Sequence, residues 1–202
     1  DEMVESMKKL AQTIQQNGAK AVVQIHHGGR ECPAELVPGG DVVSASETDS
    51  SDGSVHARAL TGEETAEIVK AFGEATRRVI EAGFDGVEIH GANGYLIQQF
   101  FSPYTNWRED EWGGSLEKRL AFPLAVVDAV KKTVAEYADR PFLVGYRLSP
   151  EEPYEPGITM DDTFALLDAL MEKELDYVHI SLQHFWSKAR RGGEPGRPRM
   201  EQ

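Results

Sequence analysis

The sequence predicts an α/β fold in which about four helix–strand units form a parallel sheet, half the strand content of an eight-stranded barrel. The first observation is that short apolar strands alternate with amphipathic helices along the chain. The second is that connections from helix to strand are short, whereas those from strand to helix run roughly over 26–60 and 91–114. Enzymes with barrel or doubly wound α/β folds carry their catalytic residues on the long connections at the carboxyl ends of parallel strands.

Each element is predicted from a local pattern. Apolar residues recur at helical spacing in the first helix, and Thr61 and Glu64 form a capping box at the start of the second. Ser115 is expected to cap the third helix, in which Pro123 indicates a bend or a late start, and Thr159 is expected to cap the fourth. The four strands are predicted at 21–25, 85–90, 142–147 and 176–181.

Composition excludes several classes of protein. The formal net charge is −13, which disfavours binding to nucleic acid and to anionic membranes. No apolar run approaches the roughly 18 residues that a membrane span needs. Cys32 is the single cysteine, so no disulfide can form within the chain. No G-x-G-x-x-G follows a strand, which counts against a Rossmann domain. We therefore expect a cytoplasmic protein with a small-molecule substrate.

Three polar side chains are predicted to lie on one face of the sheet. Gln24, His90 and Arg147 stand at or near the carboxyl ends of their strands, and strand parity assigns them to the same face. An amide, an imidazole and a guanidinium suit an electron-rich heterocycle or a developing anion. Alternatively, they are ordinary strand-end residues that face solvent. Glu88 lies on the same face, and as a buried carboxylate it is expected to pair with Arg147.

The segment after the second strand carries another group of polar residues. His90 and Asn93 can both donate hydrogen bonds to one oxygen, and the phenol of Tyr95 is a candidate proton donor. The alternative is a capped turn with a half-buried tyrosine. His26 and His27 are adjacent and should diverge, so no metal site is expected there.

Four segments resemble the Old Yellow Enzyme / NADH:flavin oxidoreductase family of FMN-dependent TIM barrels. The longest reads GFDGVEIHGANGYLIQQFFSP at 83–103, and the others are NWREDEWGGS at 106–115, QIHHGGR at 24–30 and YRLS at 146–149. The resemblance implies a partial (β/α)8 TIM barrel over residues 1–190, approximately strands three to six of a longer barrel. The remaining stretch, 191–202, is rich in Gly and Pro and is predicted to be a disordered tail.

The resemblance also implies roles for individual residues. Gln24, Arg147 and His90 would contact FMN, with Arg147 stabilising negative charge on the reduced ring. His90 and Asn93 would bind the oxygen of an activated alkene, so that hydride from the flavin attacks the β carbon. Tyr95 would give a proton to the α carbon, and NAD(P)H would be the reductant.

Two further expectations concern the whole protein. The Gly-rich loops that bind the FMN phosphate in this family have no counterpart in the sequence, so the alternative is a catalytically inert half barrel or an assembly partner. Half a barrel also has two unpaired sheet edges, which predicts association into a homo-oligomer. Some relatives carry an iron–sulfur cluster, and the sequence leaves open whether this chain belongs to that branch of the family.

Overall fold

The computed structural model describes residues 2–202, which form one four-stranded sheet, one small sheet and six helices. The helices are α1 (Glu2–Gln15), α2 (Gly62–Glu81), α3 (Leu96–Phe101), α4 (Leu116–Arg119), α5 (Ala121–Tyr137) and α6 (Met160–Met171). The strands are β1 (Val22–Ile25), β2 (Val43–Ser44), β3 (Thr48–Asp49), β4 (His56–Ala59), β5 (Gly86–Gly91), β6 (Leu143–Leu148) and β7 (Tyr177–Ile180).

The main sheet is parallel throughout, in the order β1-β5-β6-β7. Its four strands are the four that the sequence predicts, and helices lie between them in the chain, which confirms the α/β class and the partial-barrel architecture. The helix-facing side is apolar: Val87, Ile89, Val144 and Tyr146 are all buried in the core with residues of α2 and α5. The opposite side of the sheet carries polar residues, so only one of the two faces contributes to the hydrophobic core.

Helix starts follow the predicted caps. Thr61 and Glu64 form a reciprocal capping box on α2, and Thr159 and Asp162 form another on α6. α5 begins at Ala121, so Pro123 falls in the first turn, where a missing amide proton breaks no helical hydrogen bond. Ser115 caps α4 as expected, but the single helix predicted after it is divided at Leu120 into α4 and α5.

The connections after β1 and β5 contain structure that the sequence did not reveal. The first holds the small sheet, in which β4 pairs parallel with β2 and antiparallel with β3. The second holds α3, all six of whose residues are buried. The two connections are joined by hydrogen bonds, from the Leu96 amide to His27 O at 3.0 Å and from Ser44 Oγ to Gln99 Oε1 at 3.1 Å.

Asp85 links several elements at the amino end of the main sheet. Its Oδ2 accepts hydrogen bonds from the Ala21 amide at 2.9 Å and from Gln15 Nε2 at 2.7 Å, and its Oδ1 lies 3.1 Å from Arg140 Nη1. The Ala21 hydrogen bond is the main reason that the pKa of Asp85 falls to about 2. This end of the sheet is thereby closed by one fully partnered carboxylate.

Residues 188–202 pack beside the loop after β6. The backbone amides of Arg190 and Arg191 both donate to Glu151 at 2.8 Å, and Arg199 forms an ion pair with the same carboxylate. A short 3₁₀ helix spans Arg199–Glu201. The disorder expected for 191–202 stays a prediction. Within the described part of the chain, no helix combines the length and the apolarity that crossing a bilayer requires.

Candidate active site

The polar face of the main sheet is built by strand register. Gln24 pairs with Glu88, and His90 pairs with Arg147, which in turn pairs with His179. Residues that pair across parallel strands, and residues two apart along one strand, point to the same side. Gln24, His90 and Arg147 therefore share a face at the carboxyl end of the sheet, although their roles there stay predictions.

Glu88 lies at the centre of this face, but its partner is not the one expected. The prediction that it pairs with Arg147 is wrong: Gln24 Nε2 donates to Oε1 at 2.5 Å, and His179 Nδ1 lies 3.0 Å from Oε2. The Tyr177 ring occupies the space left by the missing side chain of Gly145, near this carboxylate. Burial raises the pKa of Glu88, but hydrogen bonds from Gln24 and His179 outweigh it, so the net pKa is lowered and Glu88 is an anion.

His90 is a neutral imidazole whose proton is on Nε2. The Ala92 amide donates to Nδ1 at 3.2 Å, which leaves the ring proton on Nε2. Burial is the main reason that the pKa of His90 falls to about 4, and the neighbouring His26 and Arg147 lower it further. Among residues 2–202 no group hydrogen-bonds Nε2. Nε2 is thus a free donor at neutral pH.

Asn93 is oriented by two serines. Ser181 Oγ donates to Asn93 Oδ1 at 2.8 Å, Ser149 Oγ lies 3.5 Å from the same oxygen, and the Asn93 amide donates to Ser149 Oγ at 2.9 Å. Because the carbonyl oxygen is occupied, the two hydrogens of the side-chain NH₂ stay available. Asn93 has φ of +58°, in the left-handed region that Asn tolerates better than most residues. Both serines were missed, although each lies two residues beyond a strand position on the polar face.

The buried Nε of Arg147 has no hydrogen-bond partner within the described chain. Nη2 of the same side chain donates to Ser181 Oγ at 3.0 Å, and that hydroxyl donates to Asn93. A buried guanidinium nitrogen without an acceptor costs free energy, so a ligand that brought an acceptor to it would gain that hydrogen bond.

Tyr95 forms a ring cluster with His90 and with a residue that sequence reasoning did not assign to the site. The Tyr95 ring lies 5.1 Å from that of His90 and 4.7 Å from that of His26, and the two imidazoles are 5.5 Å apart. His26 lies two residues beyond Gln24, so parity could have placed it here. Burial lowers its pKa, which favours the neutral ring. His27 turns away and accepts from the Gly29 amide.

A cavity of about 630 Å³ opens beside this cluster. Asn93, Gly94 and Tyr95 line it on the side of β5, and Ser149 and Ser181 line it from the next two strands. The described residues contain no group of three or more side chains suited to hold a metal ion. Two phenols, Tyr95 and Tyr154, line this space for an organic molecule, whereas Gln24, His90 and Arg147 are not among its lining residues.

Comparisons with known proteins agree on one family. The sequence model of the NADH:flavin oxidoreductase / NADH oxidase family matches residues 1–202, including the tail. A probable NADH-dependent flavin oxidoreductase YqiG from Bacillus subtilis is 68% identical over 100% of this chain and 54% of that protein. An NADH:fumarate oxidoreductase from Klebsiella pneumoniae is 49% identical over 90% of this chain and 20% of that protein.

A solved structure gives the same answer for the fold. Morphinone reductase in complex with tetrahydroNAD superposes with a TM-score of 0.77 at 32% identity, over 89% of this chain and 53% of that one. The chain therefore spans about half the length of the Bacillus relative and of the solved structure that it matches.

Proposed function

Because the chain belongs to the NADH:flavin oxidoreductase / NADH oxidase family, we propose that it forms the substrate side of an FMN-dependent ene-reductase. In this reaction NAD(P)H reduces the flavin, and an activated alkene is then reduced. The proposal that the substrate is an activated alkene rests on the hydrogen-bond donors of His90 and Asn93, which have no partner in the described chain.

The predicted cofactor pair, FMN with NAD(P)H as reductant, is confirmed at the level of the family. The residues present fit an isoalloxazine ring, because the buried Nε of Arg147 has no partner and ring oxygens and nitrogens are acceptors. Gln24 would accept or donate at the pyrimidine edge, with Glu88 fixing its amide, and His90 would also contact the cofactor. When bound, FMN supplies hydride transfer, and the protein supplies orientation and electrostatics.

His90 and Asn93 would bind the oxygen of the electron-withdrawing group. His90 Nε2–H and the Asn93 NH₂ are donors whose neighbouring acceptor atoms are already occupied by Ala92 and Ser181. Two donors to one oxygen would stabilise the negative charge that develops there as hydride reaches the β carbon. This pair of fixed, free donors is the single observation that carries the proposal.

Tyr95 would complete the reduction by giving its phenolic proton to the α carbon. The proposal is supported by the packing of the Tyr95 ring at 5.1 Å from that of His90 and by the place of Tyr95 beside Asn93 in the cavity lining. One hydride and one proton then add across the double bond, which balances the reaction. Water returns the proton to the phenol after product leaves.

The test is rapid mixing of the purified, flavin-loaded protein in two steps. NADH should bleach the flavin absorbance, and 2-cyclohexen-1-one should restore it without oxygen. Cyclohexanone, which lacks the double bond, serves as the comparison ligand that tests the need for an activated alkene. Failure of the enone to reoxidise the flavin would contradict the ene-reductase assignment, whereas failure of NADH to reduce it would contradict the reductant.

The second candidate is a chain that performs no catalysis by itself and completes a barrel with another chain. The observation that favours it is that β1 and β7 each have one neighbour in the main sheet as described, so two edges are open. Colourless protein that resists reconstitution with FMN would support this candidate. Yellow protein that turns over NADH would exclude it.

A further inference from the structure

Two consecutive glutamines of α3 hold the turn that carries the proposed substrate groups. Gln99 is 1% exposed and uses its whole amide. Its Nε2 donates to Gly94 O at 2.7 Å and to Gly28 O at 3.3 Å. Its Oε1 accepts from the Arg30 amide at 3.2 Å and from Ser44 Oγ at 3.1 Å. One side chain thereby joins the loop after β1, the small sheet and the loop after β5.

Gln98 holds the other side of the same glycine. Its Oε1 accepts from the Gly94 amide at 3.0 Å, and its Nε2 donates to Glu152 Oε1 at 2.6 Å. Glu152 is buried in the loop after β6, where it also accepts from Ser102 Oγ at 2.5 Å and from the Ile158 amide at 3.2 Å. Gln98 therefore ties the turn to a second neighbouring loop.

The turn at Asn93 and Gly94, which both glutamine side chains contact, has an unfavourable backbone conformation. Asn93 and Gly94 have φ of +58° and +75°, and a non-glycine residue in this region is strained. The peptide groups before and after Gly94 are each bonded to one glutamine amide. Asn93 and Tyr95 lie on the two sides of those peptides. The glycine at Gly29 is also explained, because a Cβ there would collide with the Gln99 amide.

We propose that Gln98 and Gln99 are positioning residues that fix Asn93 and Tyr95 relative to His90 by holding both peptide groups of Gly94. The inference rests on the proposed function, since it assigns these two residues to the substrate half-reaction. Both side chains reach the edge of the cavity, but their amide groups are bonded to protein atoms, so the proposed role acts through the Gly94 peptides. Their loss should misplace the oxygen site and the proton donor while leaving the contacts of Gln24 and Arg147 in place.

The experiment compares Gln98→Met and Gln99→Met with Gln12→Met, a matched change on an exposed face of α1. In the flavin-loaded protein, each of the first two should slow reoxidation by 2-cyclohexen-1-one at least tenfold and change flavin reduction by NADH less than twofold. Hydrogen–deuterium exchange supplies a readout independent of activity. Exchange at the Gly94 amide should rise at least tenfold in Gln98→Met and stay unchanged in Gln12→Met.

Several outcomes would overturn the inference. Unchanged reoxidation in both variants, or equal slowing of both half-reactions, would reduce the glutamines to ordinary core residues. If a variant fails to fold, the wild-type protein still decides, because a Gly94 amide that exchanges as fast as in an unstructured peptide would contradict the bond to Gln98. A wild-type protein that NADH reduces but the enone does not reoxidise, with Gly94 protected, would instead contradict the proposed function alone.

Discussion

The two ends of the main sheet use buried polar groups in opposite ways. At the amino end, the Asp85 carboxylate accepts from the Ala21 amide, from Gln15 and from Arg140, so every nearby donor has a partner. At the carboxyl end, the buried Nε of Arg147 has none, and His90 presents a free Nε2–H. The first arrangement stabilises the fold, whereas the second keeps donors available at a cost in stability.

This contrast separates residues whose replacement should unfold the protein from those whose replacement should only impair its chemistry. In parallel α/β barrels the amino-terminal face serves stability and the carboxyl-terminal face serves function. Here the separation is visible within single strands, because β5 begins one residue after Asp85 and carries His90 near its end. The predictions below test it from the largest expected effect to the smallest.

Replacing Tyr95 by Phe should have the largest effect on chemistry. Loss of the proton donor is expected to slow enone reduction by about 10²–10⁴-fold, the usual contribution of a positioned general acid. Flavin reduction by NADH should be unaffected, since it needs no proton from this side chain. Rapid-mixing kinetics of the two half-reactions check this, with Tyr137→Phe at the exposed end of α5 as the matched control. Equal slowing of both half-reactions would remove Tyr95 from the proposed role.

Replacing Asp85 by Ala should have the largest effect on stability. The change leaves the Ala21 amide and Gln15 without their acceptor and is expected to cost about 3–5 kcal/mol in the free energy of unfolding. Urea unfolding measures it. Lys20→Ala is the control: Lys20 is 73% exposed and 3.4 Å from Asp85, so its loss should cost less than about 1 kcal/mol. A loss at Asp85 no larger than at Lys20 would contradict the account of this end.

Replacing His90 by Ala should weaken the binding of a phenol or enone oxygen by about 1–3 kcal/mol, as expected for one lost hydrogen bond in a buried site. Stability should fall less than in Asp85→Ala, because the carboxyl end is not fully partnered. Spectroscopic titration of the flavin-loaded protein with 4-hydroxybenzaldehyde gives the affinity. His184→Ala, which removes an exposed imidazole beyond β7, is the control. Unchanged affinity in His90→Ala would exclude it from the oxygen site.

The smallest effect is a difference in pH dependence between the two ends. The pKa of His90 is about 4 in the folded chain against 6.5 for an ordinary histidine, so the unfolded chain binds the proton first and stability falls as pH drops from 6.5 towards 4. The pKa of Asp85 is about 2 against 3.8, so its contribution is lost as pH drops from about 4 towards 2. His90→Asn should remove about 1–2 kcal/mol of the stability lost between pH 6.5 and pH 4 and leave the loss below pH 4 unchanged. A wild-type curve that is flat above pH 4 would contradict the burial of His90.

The sequence predicted the elements that depend on local patterns and missed contacts that depend on register. The Thr61 and Thr159 caps were readable because each satisfies amides within its own first turn. Strand parity placed Gln24, His90 and Arg147 on one face because side chains alternate along any strand. The two-residue strands of the small sheet carry no period that a sequence could show.

Other failures have the same origin. Which donor reaches Glu88 depends on the stagger of β1 and β7 against β5, and that stagger favours Gln24 and His179 over Arg147. His26 was considered only together with His27, as a possible metal pair. Its position two residues after Gln24 assigns it to the polar face. The role of Ser181 depends on the loop after β5 bringing Asn93 within 2.8 Å, which no local pattern encodes.

The reduction potential of the bound flavin tests the central claim most directly, because it reports whether the free donor of Arg147 faces the ring. Arg147→Met removes that donor and its charge. If the guanidinium stabilises the reduced flavin by about 1.5–3 kcal/mol, as a charged hydrogen bond does, the two-electron potential should become about 30–65 mV more negative. The exposed Arg197→Met should leave the potential unchanged. An unaltered potential in Arg147→Met would contradict the assignment of this end of the sheet to flavin chemistry.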